Sequence, residues 1–296
     1  FGVLVALVAH LFVEGVKFLS LSQTFFGQVE LGGLIFGYGH IITLTIAAFL
    51  IAFIKTSLSI GRWEGPGDSI FAAHRTDNEL NVQTGLASTL VAFISASGGA
   101  SVGQYGPLVH FGAVVGSFCK RVFSTNISTD VVIGCGVAAA ISAGFNAPIA
   151  GVIFAHEAIL RHFSLRAIAP IAIASCVAAG VTQLILPGGN LFQVENFTGD
   201  LSRLLFISLL IGPIFGCVAI ILMQSVRLTT KFSATRKLSL SKSLFFAVAI
   251  TSVGGMLVPE ALGLGGGTIR SVLEGQYNFE MLTATFVMKI VLTTAC

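Results

Sequence analysis

Charge is what this 296-residue chain has least of: 10% of its residues are Asp, Glu, Lys or Arg, against about 25% in soluble domains. Water is therefore not its main solvent. The chain also lacks the alternating strands of about 10 residues that a transmembrane β-barrel needs. Its first segment, FGVLVALVAHLFVEGVKF, has no basic n-region and no A-x-A site, so it reads as a first span rather than a cleaved signal. Cysteine is sparse and scattered. Cys119, Cys135, Cys176, Cys217 and Cys296 stand within apolar segments without C-x-x-C spacing, the pattern of buried small apolar side chains rather than of a metal or redox centre. No metal triad, nucleophile elbow or phosphate loop occurs, so no enzyme, metal site, cofactor or nucleic-acid partner is expected. The chain opens without Met and closes in mid-segment at VLTTAC, which reads as a piece of a longer protein.

What is present is apolar, 54% of all residues. Long apolar stretches recur at 1–13, 32–54, 86–119, 131–155, 167–187, 204–223, 244–259 and 281–296, several of them near the ~20 residues that cross a bilayer as a helix. An all-α, polytopic integral membrane protein is expected. The few charges are placed unevenly. From Arg227 to Lys242 the chain holds Arg227, Lys231, Arg236, Lys237 and Lys242 with no acid, whereas 187–203 holds Glu195, Asp200 and only Arg203. The positive-inside rule puts the first of these loops in the cytoplasm and the second outside.

From Leu86 to Cys119 no Asp, Glu, Lys or Arg occurs in 34 residues. As one helix that run would be about 50 Å long, against a hydrocarbon core of about 30 Å. The break belongs at Gly98, Gly99, Gly103, Gly106 and Pro107: glycine lets backbones approach, and proline suits a first helical turn because its missing N–H would be unpaired there anyway. One helix should end near Ser97 and another begin near Gly106. Gly144, Phe145, Asn146, Ala147 and Pro148 repeat the pattern, with Asn146 as the expected N-cap. A third instance is EGPGDSI, residues 64–70, where Gly65, Pro66 and Gly67 precede Asp68. Glycines alone could serve only tight helix packing. Three interrupted segments favour the other reading, helix N-termini inside the membrane whose free N–H groups hold an anion.

Two of these stretches are similar to signature segments of one family. GASVGQYGPLVHFGAVVGS resembles the G-[KR]-E-G-P segment of the CLC chloride channels and proton/chloride exchangers, and ISAGFNAPIAGVIFAHEAIL resembles their A-A-F-N-A-P-x-A-G-x-x-F segment. GLGGGTIRSVLEGQYNFEMLTATFVMKIVLTTAC resembles the later segment that leads to a G-x-F-x-P motif. The resemblance implies a homodimer in which each subunit has its own anion pathway. It implies two inverted repeats of broken helices, here 1–187 and the start of the second, 188–296, left incomplete. Chloride would be the substrate, and the plasma (inner) membrane the location.

The same resemblance assigns positions. Backbone groups of Gly65, Pro66 and Gly67, and of Gly103, Gln104, Tyr105, Gly106 and Pro107, would line the anion site. Tyr105 stands where the family has its gating glutamate and Gln104 where it has a basic residue. A phenol with an ordinary pKa of about 10 stays neutral at pH 7, so Tyr105 cannot imitate a bound anion or cycle protons as a carboxylate does. It can donate its O–H to an anion or obstruct the path with its ring. The exchangers' inner proton glutamate falls on Ala158. The preceding Glu157, beside His156 and four residues before Arg161, reads as a helix-end contact. The family's serine-bearing G-S-G-I-P motif falls on Trp63 to Gly67 with no serine in place, although Ser69 follows Asp68. An ionised Glu64 facing the site would repel an anion. His110 reads as a hydrogen-bonded histidine between helices, and Lys289 as a secondary candidate because a charge within a span needs protein or water around it. The expected function is a passive chloride channel. The alternatives are a proton-coupled antiporter using a displaced carboxylate (Glu64, Asp68 or Glu157) and a non-conducting member.

Overall fold

The computed structural model describes residues 2–21, 28–31, 34–75, 80–123, 126–185 and 200–296. Apart from a short antiparallel hairpin, β1 (Gln28–Leu31) with β2 (Leu34–Gly37), in which Gln28 pairs with Gly37, its described elements are helical. In chain order the helices are α1 (Gly2–Ser20), α2 (Gly39–Ser57), α3 (Pro66–His74), α4 (Val82–Ser97), α5 (Tyr105–Phe123), α6 (Thr129–Phe145), α7 (Pro148–Phe154), α8 (Leu165–Ile185), α9 (Leu201–Thr235), α10 (Leu240–Leu257), α11 (Gly266–Leu273) and α12 (Phe279–Ala295). A π-helical turn, Ala155–Leu160, continues α7, and a 3-10 turn, Pro259–Ala261, follows α10. Among the described residues α1, α2, α8, α9 and α10 are long and apolar enough to cross a membrane.

The chain divides into two compact units. The first comprises Phe1–Ser22, Phe49–Ser97 and Gly103–Leu191, the second Gln23–Ala48, Gly98–Val102 and Phe192–Cys296. The division expected at 187/188 lies outside the described residues.

In the first unit α6 is the central helix. Val131 to Ala140 are all buried, as a helix that is apolar on every side should be. It packs against α5, α8 and α1. Its approach to α5 is glycine-mediated: Gly112 and Gly136 face each other's carbonyl oxygens, and a Cβ on Gly116 would lie 2.5 Å from the Val132 carbonyl oxygen. Gly112 and Gly116, four apart on α5, thus let its backbone approach that of α6 at Gly136 and Val132, as small-xxx-small pairs do in membrane bundles. Val5, Ala6, Phe111, Val115, Ala139, Ala140 and Ala178 close the core on the α1 and α8 side.

In the second unit α10 and α12 pack together, and α9 against α12. A Cβ on Gly254 would lie 2.5 Å from Leu292 Cδ2. The window of α9 that could span a membrane has no buried residue. Leu209, Phe215, Met223 and Leu228 are more than 60% exposed along it, far more contiguous apolar surface than a water-soluble protein presents. With the five long apolar helices, this describes an integral membrane protein.

Two sequence expectations need correction. Arg227 and Lys231 are not in a loop: α9 continues to Thr235. Its 35 residues make about 52 Å of helix, so one end must project beyond a hydrocarbon core of about 30 Å, and there basic residues are well hydrated. Asn146 does not begin α7. It ends α6 in the left-handed conformation (φ 53), and Ala147 is the residue ahead of Pro148. An asparagine tolerates that conformation better than most side chains, so it suits the end of a helix as well as the start. The loop over 187–203 lies mostly outside the described residues; Asp200 caps α9 by accepting from the Ser202 N–H.

Candidate functional site

The glycine-rich run between Ser97 and Tyr105 divides its duties between the two units. In the second unit the Gly98 carbonyl accepts from Thr43 Oγ1 (3.0 Å) and the Gly99 carbonyl from the Gly263 N–H (3.1 Å). Gly99 takes φ 96, which a side chain would resist. Ser101 Oγ meets Thr293 Oγ1 at 3.2 Å. The Gly98 and Gly99 carbonyls are therefore held by donors of their own unit. The N–H-rich start of α5 is not: among the described residues the N–H groups of Gly103, Gln104, Tyr105 and Gly106 make no hydrogen bond, Pro107 has none to give, and the ladder begins with Leu108 N–H to the Gln104 carbonyl. Four bare donors in an apolar setting cost several kcal/mol each unless something accepts from them. Their positive end attracts an anion.

The start of α3 lies alongside, since a Cβ on Gly106 would be 3.5 Å from Pro66 Cγ. This second start is largely occupied by its own side chains. Asp68 Oδ2 accepts from the Gly65 N–H (2.8 Å), Asp68 and Ser69 donate their N–H groups to the Gly65 carbonyl, and the other Asp68 oxygen pairs with Arg62. Among the described residues the Gly65 N–H is taken by Asp68 and Pro66 has none, which leaves Gly67 with an unbonded N–H. Asp68 is thus a helix cap, and it competes with any outside anion for this end.

Tyr105 sits where three breaks meet. Its ring stacks on Phe145 at the end of α6, with centroids 3.9 Å apart and planes 28° from parallel. A Cβ on Gly144 would come within 2.8 Å of the same ring. The phenol is therefore seated on the second interrupted segment while its own N–H points from the first. Neither Phe145 nor Gly144 could be tied to Tyr105 from sequence. They lie about forty positions away, and helical periodicity says nothing of which helix ends meet. Gln104 buries an amide oxygen that has no hydrogen-bond partner among the described residues.

Behind these starts the polar residues form one connected group. Ser69 and His110 are fully buried, and Ser69 Oγ lies 2.8 Å from His110 Nδ1, joining α3 to α5. His110 Nε2 faces Glu64 Oε2 at 3.6 Å. The Glu64 N–H donates to Ser88 Oγ on α4 (2.9 Å). Glu64 thus turns towards His110.

The remaining candidates make no hydrogen bond or ion pair with this group among the described residues. Glu157 is exposed on the π turn beside Ala158, and it makes no ion pair with Arg161 among the described residues. A π turn widens the repeat beyond the i, i+4 spacing of an α-helix, and Arg161 leaves it with φ 54, so the contact expected from spacing does not form. His156 Nδ1 instead meets the His162 carbonyl oxygen at 3.1 Å. In the second unit Lys289 donates to the carbonyls of Ala261 (3.2 Å) and Gly263 (2.6 Å), which satisfies a half-buried ammonium without a carboxylate.

The chain is similar to the H(+)/Cl(-) exchange transporter ClcA of Vibrio vulnificus, 26% identical over the whole of this chain and 65% of that protein. It is also similar to the voltage-gated ClC-type chloride channel ClcB of Yersinia pseudotuberculosis, 26% identical over 73% of this chain and 54% of that one. It therefore spans less than two thirds of the length of these curated relatives. Among solved structures, a slow cyanobacterial Cl-/H+ antiporter superposes over all of this chain and 71% of its own, with a TM-score of 0.80 at 19% identity. A CLC-type fluoride/proton antiporter does so over 99% and 73%, with a TM-score of 0.81 at 20% identity. These two share its fold. The description of a voltage gated chloride channel fits residues 43–296, which is most of the chain, and the chain accordingly belongs to that family.

Proposed function

We propose that the chain is the larger part of a passive anion channel for chloride or a similar small anion, working in the plasma (inner) membrane as a homodimer and not as an enzyme. The four bare N–H groups at the start of α5 carry this reading, because they offer an anion dipoles rather than a full charge. Weak binding of that kind lets an ion leave as well as enter. The repeats are assigned as 1–187 and the beginning of a second from 188. Lys289, bonded to two carbonyls, is assigned to holding the loop before α11 rather than to meeting the ion.

Passive conduction follows from what stands at two positions. Relatives named exchangers move protons; by resemblance they do so on glutamates whose places here hold Tyr105 and Ala158. A neutral phenol seated on Phe145 narrows the approach to the α5 donors and has no charge with which to displace an anion. Replacing the ring with a small side chain, Tyr105→Ala, is expected to raise the initial rate of chloride efflux from liposomes several-fold. A fall in rate would make the phenol a ligand instead of an obstruction, and Tyr105→Phe separates the two, leaving the rate unchanged only if the hydroxyl is idle.

A further inference from the structure

We propose that Glu64 and His110 form a proton-binding site that is loaded together with the anion, so that anion occupancy rises as pH falls. This rests on the anion site proposed above and adds the proton that controls it.

The geometry is that of an unfinished pair. His110 is 1% exposed, and among the described residues neither its Nε2 nor Glu64 Oε2 has a hydrogen-bond partner; the two face each other at 3.6 Å. That separation is too long for a hydrogen bond and too short for a water to sit in line between the atoms. An approach of under about 1 Å would close it. The other ring nitrogen is already served by Ser69 Oγ, which can donate to a neutral ring or accept from a charged one. Gly85 on α4 leaves room at the nitrogen: a Cβ there would lie 3.3 Å from Nε2.

Charge makes the pair consequential. Holding one proton between them, as acid and imidazole or as carboxylate and imidazolium, Glu64 and His110 are neutral overall. Without it they carry one negative charge, immediately before the start of α3 and on the first turns of α5, beside the N–H groups assigned to the anion. Five residues, about 7.5 Å of helix, separate His110 from Tyr105; at about 8 Å and an effective dielectric constant of about 20 one negative charge weakens anion binding more than tenfold. Anion and proton therefore favour each other's binding.

The neighbouring charges do not remove the effect. Asp68 and Arg62 act on Glu64 and are paired with each other. Of the helices packed on α5, α4 has no Asp, Glu, Lys, Arg or His. On α1 Glu14 pairs with Lys17, and Asp130 at the start of α6 lies 4.0 Å from His162. Ala158 leaves the proton no second carboxylate at the inner position, so it sets occupancy and is not carried across.

The test is proton uptake on anion binding by the intact protein in weakly buffered detergent, read with a pH indicator as chloride is added. The parent protein should take up about one proton per chain, as for one coupled pair. Glu64→Gln, nearly isosteric and at a partly exposed site, should take up none and bind chloride with the same affinity at all pH values. Ser69→Ala should keep the uptake and shift its pH midpoint. No uptake by the parent, or equal uptake by Glu64→Gln, would overturn the proposal. Chloride efflux from liposomes is a separate reading: absence of flux at every pH would refute the channel while leaving the proton result to stand or fall alone.

Discussion

At the scale of single residues the account turns on Tyr105. Its position in a broken helix could be read from the sequence, because Gly103, Gly106 and Pro107 surround it in a run too long for one span. Its seat could not. The stack on Phe145 and the space left by Gly144 depend on two helix ends meeting, which no local pattern encodes. The same limit applied to His110, legible as a histidine between helices but not as the link from Ser69 to Glu64. Two outcomes follow. Phe145→Ala removes a stacked pair worth about 0.5–1.5 kcal/mol, and it should raise chloride efflux less than Tyr105→Ala does, since the phenol is loosened and not deleted. Tyr105→Glu placed on Glu64→Gln should give a flux that falls as pH rises, the new carboxylate ionising and competing with the anion; efflux measured across pH 5 to 9 decides it, and a flat profile would put the gate elsewhere.

At the scale of elements the interruptions were legible because Gly and Pro act through covalent geometry, which needs no tertiary context. The expected end at Ser97 and start at Gly106 fall within a residue of α4 and α5. What failed was finer. Asn146 suits either end of a helix, and the π turn over Ala155–Leu160 is set by packing, so neither the cap nor the missing Glu157–Arg161 contact could be foreseen. The pairing of α5 with α6 rests on glycines whose carbonyl contacts leave no room for a side chain. Overpacking usually costs about 1–3 kcal/mol. Gly136→Leu should exceed that, because the obstacle is backbone and cannot rotate away. Loss of a monodisperse peak in detergent chromatography and a lower unfolding temperature are expected; wild-type behaviour would mean that the two helices are not in close contact.

At the scale of the whole molecule composition was decisive: so little charge and so many apolar runs leave a polytopic helical membrane protein, and α9 exposes its apolar length as such a protein must. The basic residues around the α9–α10 junction are expected, by the positive-inside rule, to face the cytoplasm. A single cysteine at Ser239 should react with an impermeant maleimide only when the cytoplasmic face is open to it, and labelling from outside would reverse the assignment. The central claim, anion conduction without proton exchange, is tested most directly by reconstituting the intact protein in liposomes, imposing a chloride gradient, and recording chloride efflux and external pH together. Chloride should run down its gradient with no proton driven uphill; proton movement against its own gradient in fixed ratio to chloride would contradict the account.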